Sequence, residues 1–191
     1  PVNELDRGLV DYFAGEYQVA IAAFDRYLSA PSAVADVDLA TARYYKGLAL
    51  LKLADYPGAI EQWNIVIANY PESNVWDNAW EQKAYTEWYF LNQYPQATQT
   101  LIDFVAKAPW HSRAAEFLFD AGRVAEREDK LGLAAQLWER VASEYPTSEY
   151  AFRAYFLSGI CRYRQKDYPA ALAIFQNLLN KATGTSERAS A

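Results

Sequence analysis

Cysteine and histidine are almost missing from this chain: Cys161 and His111 are the only examples in 191 residues. One thiol excludes an intrachain disulfide and a closed zinc site built from several thiolates, and one imidazole excludes a multi-histidine metal centre. Glycine and proline, eight of each, are too scarce for a linker-rich or collagenous protein. No apolar run approaches the roughly 18 residues that would span a bilayer, so no direct membrane insertion is expected. The opening "PVNELDRGL" is neither a basic nor a hydrophobic leader, and an initiating methionine is lacking, so a mature or trimmed piece of a longer protein is expected. Positive charge is outweighed too. A net charge of −6 and a pI near 4.9 argue against a nucleic-acid or anionic-membrane surface.

Signs of catalysis are equally thin. There is no glycine-rich phosphate loop, no serine-centred nucleophile turn and no carboxylate pair in an apolar run that would raise a pKa for acid–base work. The acids of "EREDKLG", residues 126–132, read as a solvated helix end. Cys161, beside Gly159, reads as a buried packing thiol, and His111 in "PWHSRAAEF" falls at a helix start where it or Ser112 caps. The expectation is therefore a protein with no catalytic residues, no cofactor and no metal.

What the chain has is apolar surface and repetition. At 52% hydrophobic and 16% aromatic it carries ample material for a core; a chain of this size buries roughly two-thirds of its unfolded surface. The segments "DYPGAIEQWNIVI" and "DYPAALAIFQNLL" are two statements of one pattern. Its alanine recurs at Ala20, Ala59, Ala97, Ala134 and Ala171, at intervals of 39, 38, 37 and 37 residues. Four residues beyond each stands Phe24, Trp63, Leu101, Trp138 or Phe175, and three before it Tyr17, Tyr56, Tyr94, Leu131 or Tyr168. Pro71, Pro109 and Pro146 follow three of the alanines by twelve residues. Repetition at this spacing over the whole chain means a solenoid.

Each unit reads as two helices. Stretches such as "ATARYYKGLALLKL" place apolar or small residues at three- and four-residue steps; a tight polar turn and a second amphipathic helix follow, and the proline marks where that helix has stopped. Gly8, Gly47, Gly122 and Gly159 lie inside first helices, where glycine costs about 1 kcal/mol of propensity and needs a close helix contact to offset it. The second-helix alanine is expected against that crossing, with the bulky residue filling the next gap.

These glycines, turn tyrosines, alanines with their apolar partners and terminal prolines resemble the tetratricopeptide repeat. The resemblance runs from residue 4 to about 180 and implies an all-α fold: a right-handed alpha-alpha superhelix of about five helix-turn-helix repeats, roughly 4–31, 39–71, 76–109, 112–146 and 150–181, in one solenoid domain. Residues 182–191 are expected as a polar tail or linker. Three departures stand out: Tyr85 replaces the glycine of the third unit, Leu131 replaces the turn tyrosine of the fourth, and the fifth has no proline near Thr183. The period is also long, with the excess between helix pairs as in "YPESNVWDNAW". That length is similar to the variant in bacterial envelope proteins such as outer-membrane assembly lipoproteins, cell-division coordinators and the superhelical portion of lytic transglycosylases.

In that family the first helix of each pair lines the concave face. Carried over, the resemblance implies ligand-binding candidates Tyr44, Gln82, Tyr89, Phe119, Arg123, Arg127, Tyr163 and Arg164, with Leu48, Leu51, Thr86, Glu126, Phe156 and Ile160 on the same faces. Tyr44, Phe119 and Phe156 fit packing between neighbouring repeats as well. Arg127 and Arg164 fit either an ion-paired surface role or a receptor for a peptide carboxylate. The lysine and asparagine set of a dedicated carboxylate clamp is missing. The implied function is a non-catalytic scaffold for a protein or peptide, in the periplasm or cell envelope rather than the cytoplasm. The alternative is an accessory portion of a peptidoglycan-cleaving enzyme, reaching peptidoglycan through a linked domain. Ala173, Phe175 and Leu179 suggest a C-terminal face for a homodimer contact or a downstream domain.

Overall fold

The computed structural model describes residues 3–30 and 35–189, and the described residues form ten α-helices and no strand. In chain order they are α1 (Glu4–Phe13) and α2 (Tyr17–Ser29), α3 (Asp36–Lys52) and α4 (Tyr56–Asn69), α5 (Trp76–Tyr85) and α6 (Tyr94–Lys107), α7 (Ala114–Arg127) and α8 (Leu131–Glu144), α9 (Ala151–Arg164) and α10 (Tyr168–Ala189); all but α5 and α6 pack together as sequential pairs, α5 lying against α4 and α6 against α7. The all-α repeat expected from the sequence is present. Its first unit was expected to end at 31, which lies outside the described residues.

The turn within each pair is one structure written in five different residues. Gly15, Ala54, Asn92, Asp129 and Lys166 occupy the same repeat position, and all have φ between 53° and 83°, the left-handed region. In four of the five the next N–H donates to a carbonyl five residues back, Glu16 to Asp11, Asp55 to Leu50, Lys130 to Ala125 and Asp167 to Arg162, closing a Schellman-type end. Asp55 and Asp167 then start the second helix by accepting from the N–H groups of Gly58 at 3.0 Å and Ala170 at 3.3 Å.

Between pairs the "YPxS" stretch forms a second fixed device. Ser73 N–H donates to Tyr70 O and Ser148 N–H to Tyr145 O, while the serine carbonyls accept from Trp76 and Ala151 at the next helix start. His111 occupies the same position in "APWHS" and repeats both bonds, with Ala108 and Ala114. Its Nδ1 also accepts from the N–H of Arg113 at 3.0 Å, but Arg113 is the N-cap of α7 and no side chain caps the helix, so neither His111 nor Ser112 takes that role.

The crossing glycines are where the helices meet, with one correction to which residue meets them. A Cβ on Gly8 would lie 2.7 Å from Phe24 Cδ1, on Gly47 2.8 Å from Trp63 Cε2, on Gly122 2.7 Å from Trp138 Cδ1 and on Gly159 2.7 Å from Phe175 Cε1. The bulky residue, not the alanine one turn earlier, covers the glycine, because helical side chains lean towards the helix N-terminus. The alanines are buried beside it. In the two tryptophan pairs the indole passes over the glycine and donates to the carbonyl three residues before it, Trp63 to Tyr44 O at 3.3 Å and Trp138 to Phe119 O at 3.0 Å.

Two compact units make up the chain, residues 1–93 and 94–191. A single array through 180 was the expectation, and the division falls inside the third repeat, between α5 and α6. This is the repeat without a crossing glycine. Its first helix ends in a π-helical segment, Thr86–Phe90, in which Leu91 N–H donates to Thr86 O, five residues back, and Gln93 N–H to Glu87 O, six back. In the first unit Phe24, Trp63 and Val66 are fully buried and Trp76 donates to Ile67 O at 3.0 Å. In the second, Phe104 stacks on Phe117 at 3.9 Å over a core that includes Leu118, Val105, Val141 and Trp138.

The C-terminal tail is corrected as well. α10 runs through to Ala189 rather than ending near 181, and residues 190–191 lie outside the described residues. No proline interrupts this stretch, and Thr183 folds its hydroxyl back onto the carbonyls of Leu179 and Asn180, both at 3.1 Å, without breaking the helix.

Candidate functional site

The eight sequence-selected positions divide by burial. Tyr44 and Phe119 are buried, which corrects them from ligand contacts to packing residues. Tyr44 lies edge-on to Tyr45 at 5.3 Å, and Phe119 is held by the rings of Trp138 at 6.0 Å and Tyr150 at 5.3 Å with the Arg153 guanidinium over it. Gln82 is half-buried, and its backbone carbonyl accepts from Thr86 Oγ1 at 2.7 Å; Thr86 itself is fully buried.

In the first unit the exposed candidate is Tyr89, carried on the π-helical segment. Its ring stacks on Tyr85 at 4.9 Å and meets Trp88 and Phe90 edge-on at 5.5 Å and 4.9 Å. A π turn advances less than 90° per residue, so it brings these successive aromatics closer together than an α-helix would. Tyr85, placed where the other repeats have glycine, is the residue that makes this cluster, and sequence reading recorded it only as a departure.

In the second unit Arg123, Arg127, Tyr163 and Arg164 are all exposed. Of the two roles the sequence allowed Arg164, the ion-paired one is present: it donates to Glu126 at 2.9 Å and reaches Asp129 at 3.5 Å, tying α9 to the end of α7. Two acids of "EREDKLG", Glu126 and Asp129, are thereby counter-ions to Arg164, with the Asp129 side chain still largely in solvent. Arg162 makes a second such link, two bonds of 3.0 and 3.1 Å to Glu139 on α8. Arg123 stands 3.8 Å from Asp120, and Tyr163 lies edge-on to Tyr168 at 5.3 Å. Cys161 is fully buried, and burial pushes its thiol up to about 11, so it packs rather than reacts. Among the described residues no group of histidine, cysteine or acidic side chains is placed to hold a metal, and no helix is long and apolar enough to cross a membrane.

The Asp120 carboxylate is pushed up to about 6; desolvation by burial is the first cause, Arg123 opposes it, Glu116 adds to it and Arg113 opposes it. A raised folded-state pKa means that the fold binds the proton more tightly than the unfolded chain, so this group's contribution is present below about pH 4 and is lost as pH rises through about 6. Its side chain keeps 41% of its exposure, so solvent screening reduces the effect; Asp120→Asn is expected to gain about 1 kcal/mol over wild type above pH 6 and to lose that advantage near pH 4. Urea titrations of both proteins across that range check it; a constant difference refutes it.

A sequence model of the tetratricopeptide repeat matches residues 5–74, 89–149 and 134–186. No curated protein matches the chain in sequence. Among solved structures, a crystal structure of MamA protein is similar at 18% identity with a TM-score of 0.60, covering 96% of this chain and 92% of that one. MamA residues 41 to the end from Desulfovibrio magneticus RS-1 give 17% identity and 0.56, covering 95% and 94%. A putative kinesin light chain from Podosopora anserina with nearly identical TPR-like repeats gives 12% and 0.59, covering 95% and 94%. Similarity at this level of identity establishes the fold alone.

Proposed function

This chain belongs to the tetratricopeptide repeat family, and from that premise we propose that it is a non-catalytic scaffold binding a protein or peptide through side chains exposed on the first helices of its pairs. The observation that carries this reading is the exposure of Arg123, Arg127 and Tyr163 on the first helices of the second unit; Tyr89 is exposed separately in the first. Aromatic rings offer large apolar area at low entropic cost, and arginine tips supply orientation and bidentate hydrogen bonds to a carboxylate. The ligand that fits them is a peptide segment with both apolar and acidic side chains. Helices fixed by buried tryptophans and interhelical ion pairs hold such contacts in place before binding, which lowers the ordering cost. The setting we assign is bacterial envelope assembly or maintenance, and the long "YPxS" connections between pairs support it.

Tyr163→Ala combined with Arg123→Ala, both in the second unit, is expected to weaken partner binding about tenfold or more, as aromatic and arginine anchors each carry about 1 kcal/mol or more. The partner is captured from bacterial envelope extract, with immobilised peptidoglycan in parallel, and affinity is measured by calorimetry with a competing peptide from it. Unchanged affinity sinks the assignment, and lost helicity returns these residues to packing. Retention on peptidoglycan without a protein partner favours the accessory-domain reading.

A further inference from the structure

Within the second unit, the seam between successive second helices is apolar in one repeat and polar in the next. In the fourth repeat α7 packs against both α6 and α8, and in the fifth α9 packs against α8 and α10 in the same way. Ile102 and Val105 on α6 and Leu118 on α7 belong to the earlier seam, with Val105 buried and Leu118 completely so. The residues 37 positions further on are Glu139, Ala142 and Tyr155. A valine has become an alanine and two aliphatic side chains have become polar ones.

At those positions a cleft of about 340 Å³ opens, lined by Glu139, Ala142 and Ser143 of α8, Tyr155 of α9, and Asn177 and Lys181 of α10. One of its walls is α8, so it lies on the side of the fifth repeat that faces the fourth.

Hydrogen-bond donors dominate this lining. Asn177 Nδ2 donates to the Tyr155 hydroxyl oxygen at 3.1 Å, which leaves the hydroxyl its own proton to give, and no other described residue accepts it. The Lys181 ammonium stands over the Tyr155 ring at 5.9 Å and carries three donors. Glu139 is already compensated by Arg162 through bonds of 3.0 and 3.1 Å, and Ser143 gives its proton to Arg140 O at 3.3 Å. An ammonium, a phenol proton and the second N–H of Asn177 therefore border one space beside the Ala142 methyl. They match the two oxygens of a carboxylate, and the alanine leaves room for a short apolar body. Phosphate, with more charge and a third oxygen, would call for an arginine fork or a second cation, and the lining has neither.

We infer that the cleft between α8 and α10 is a binding site for a carboxylate bearing a short apolar group, held by Lys181, Tyr155 and Asn177. A free small acid and the C-terminal residue of a peptide share this chemistry. The site is separate from Arg123, Arg127 and Tyr163 on the first helices.

An amide-resolved NMR titration of the full chain with N-acetyl-valine tests this. Shifts at Ala142, Ser143, Tyr155, Asn177 and Lys181 are expected to saturate at millimolar concentration. N-acetyl-valinamide, which lacks the charge, should bind at least about tenfold more weakly, and Tyr155→Phe and Lys181→Gln should each weaken binding of the acid about tenfold, the effect of one hydrogen bond to a charged group. Ala142→Val restores the side chain of the earlier seam and should abolish binding with helicity unchanged. A tripeptide acid ending in valine that binds more tightly than N-acetyl-valine would support the proposal with a peptide terminus as the source, and equal affinity would support it with a small acid. Shifts that do not saturate, an amide that binds as well as the acid, or tighter binding of inorganic phosphate would each overturn it. So would a folded Ala142→Val that still binds; if that variant loses helicity, Tyr155→Phe and Lys181→Gln decide, and wild-type affinity in both overturns the site.

Discussion

Gly122→Leu is expected to destabilise the second unit by about 3 kcal/mol or more, from overpacking of roughly 1–3 kcal/mol and the loss of a buried hydrogen bond of about 1 kcal/mol. A bare Cβ at this position would already lie 2.7 Å from both Cδ1 and Cε2 of Trp138, well inside the roughly 3.5 Å at which carbon atoms attract. The ring has nowhere to go: Trp138 is fully buried and its Nε1 is engaged with Phe119 O at 3.0 Å. Even Gly122→Ala, which gains about 1 kcal/mol of helix propensity, should lose stability on balance. Gly47→Leu should behave alike in the first unit, where Trp63 stands in the same relation. Chemical denaturation gives the size of each loss, and hydrogen exchange locates it: for Gly122→Leu, protection should fall within 94–191 more than within 1–93. An unchanged denaturation midpoint would dispose of the crossing.

The repeat itself was legible because it is written in residues with few substitutes. Only glycine admits a tryptophan or phenylalanine ring at its Cα, and proline cannot continue a helix interior, so Gly8, Gly47, Gly122 and Gly159 announced four of the five pairs and Pro71 and Pro146 two of their ends. The turn residue was not legible. Gly15, Ala54, Asn92, Asp129 and Lys166 share a backbone conformation but no side-chain chemistry, and left-handed preferences point to glycine, asparagine and aspartate but not to Ala54 or Lys166. The helix closes around each turn with enough hydrogen bonds to hold an alanine or a lysine there. The division into two units was half visible. Tyr85 marked the third repeat as different, but a π turn is set by one displaced hydrogen bond, which leaves no periodic trace in five residues.

Which of the first-helix positions stand exposed was only partly legible in the sequence. A first-helix position faces solvent, its own partner or the next pair according to a rotation of about 100° per residue, and periodicity alone does not say which neighbour is there. Tyr44 and Phe119 therefore stood open between ligand contact and packing between repeats, and their burial decides for packing. Arg164 was weighed both ways from sequence, and the acids that hold it, Glu126 and Asp129, lie 38 and 35 residues away, one repeat back. Phe175 was grouped with the uncovered end because it is apolar, yet its ring covers Gly159, leaving Leu172 and Leu179 exposed there.

Trp138→Ala is expected to cost about 3–5 kcal/mol, the range for removing a fully buried large aromatic side chain. Trp138→Phe should cost less, about 1–2 kcal/mol, because Phe24 and Phe175 fill the same position over Gly8 and Gly159 in other repeats, and what is lost is the indole bond and part of the ring. The informative measurement is the double variant. If Trp138 and residue 122 compete for one space, a leucine at 122 enters the cavity left by Trp138→Ala instead of colliding with a ring. Gly122→Leu with Trp138→Ala should then be more stable than the two single losses added together, with a coupling of about 1–3 kcal/mol. Strict additivity would mean that the two positions act independently, and the stacking of helix pairs in this chain would need a cause other than a ring seated on a glycine.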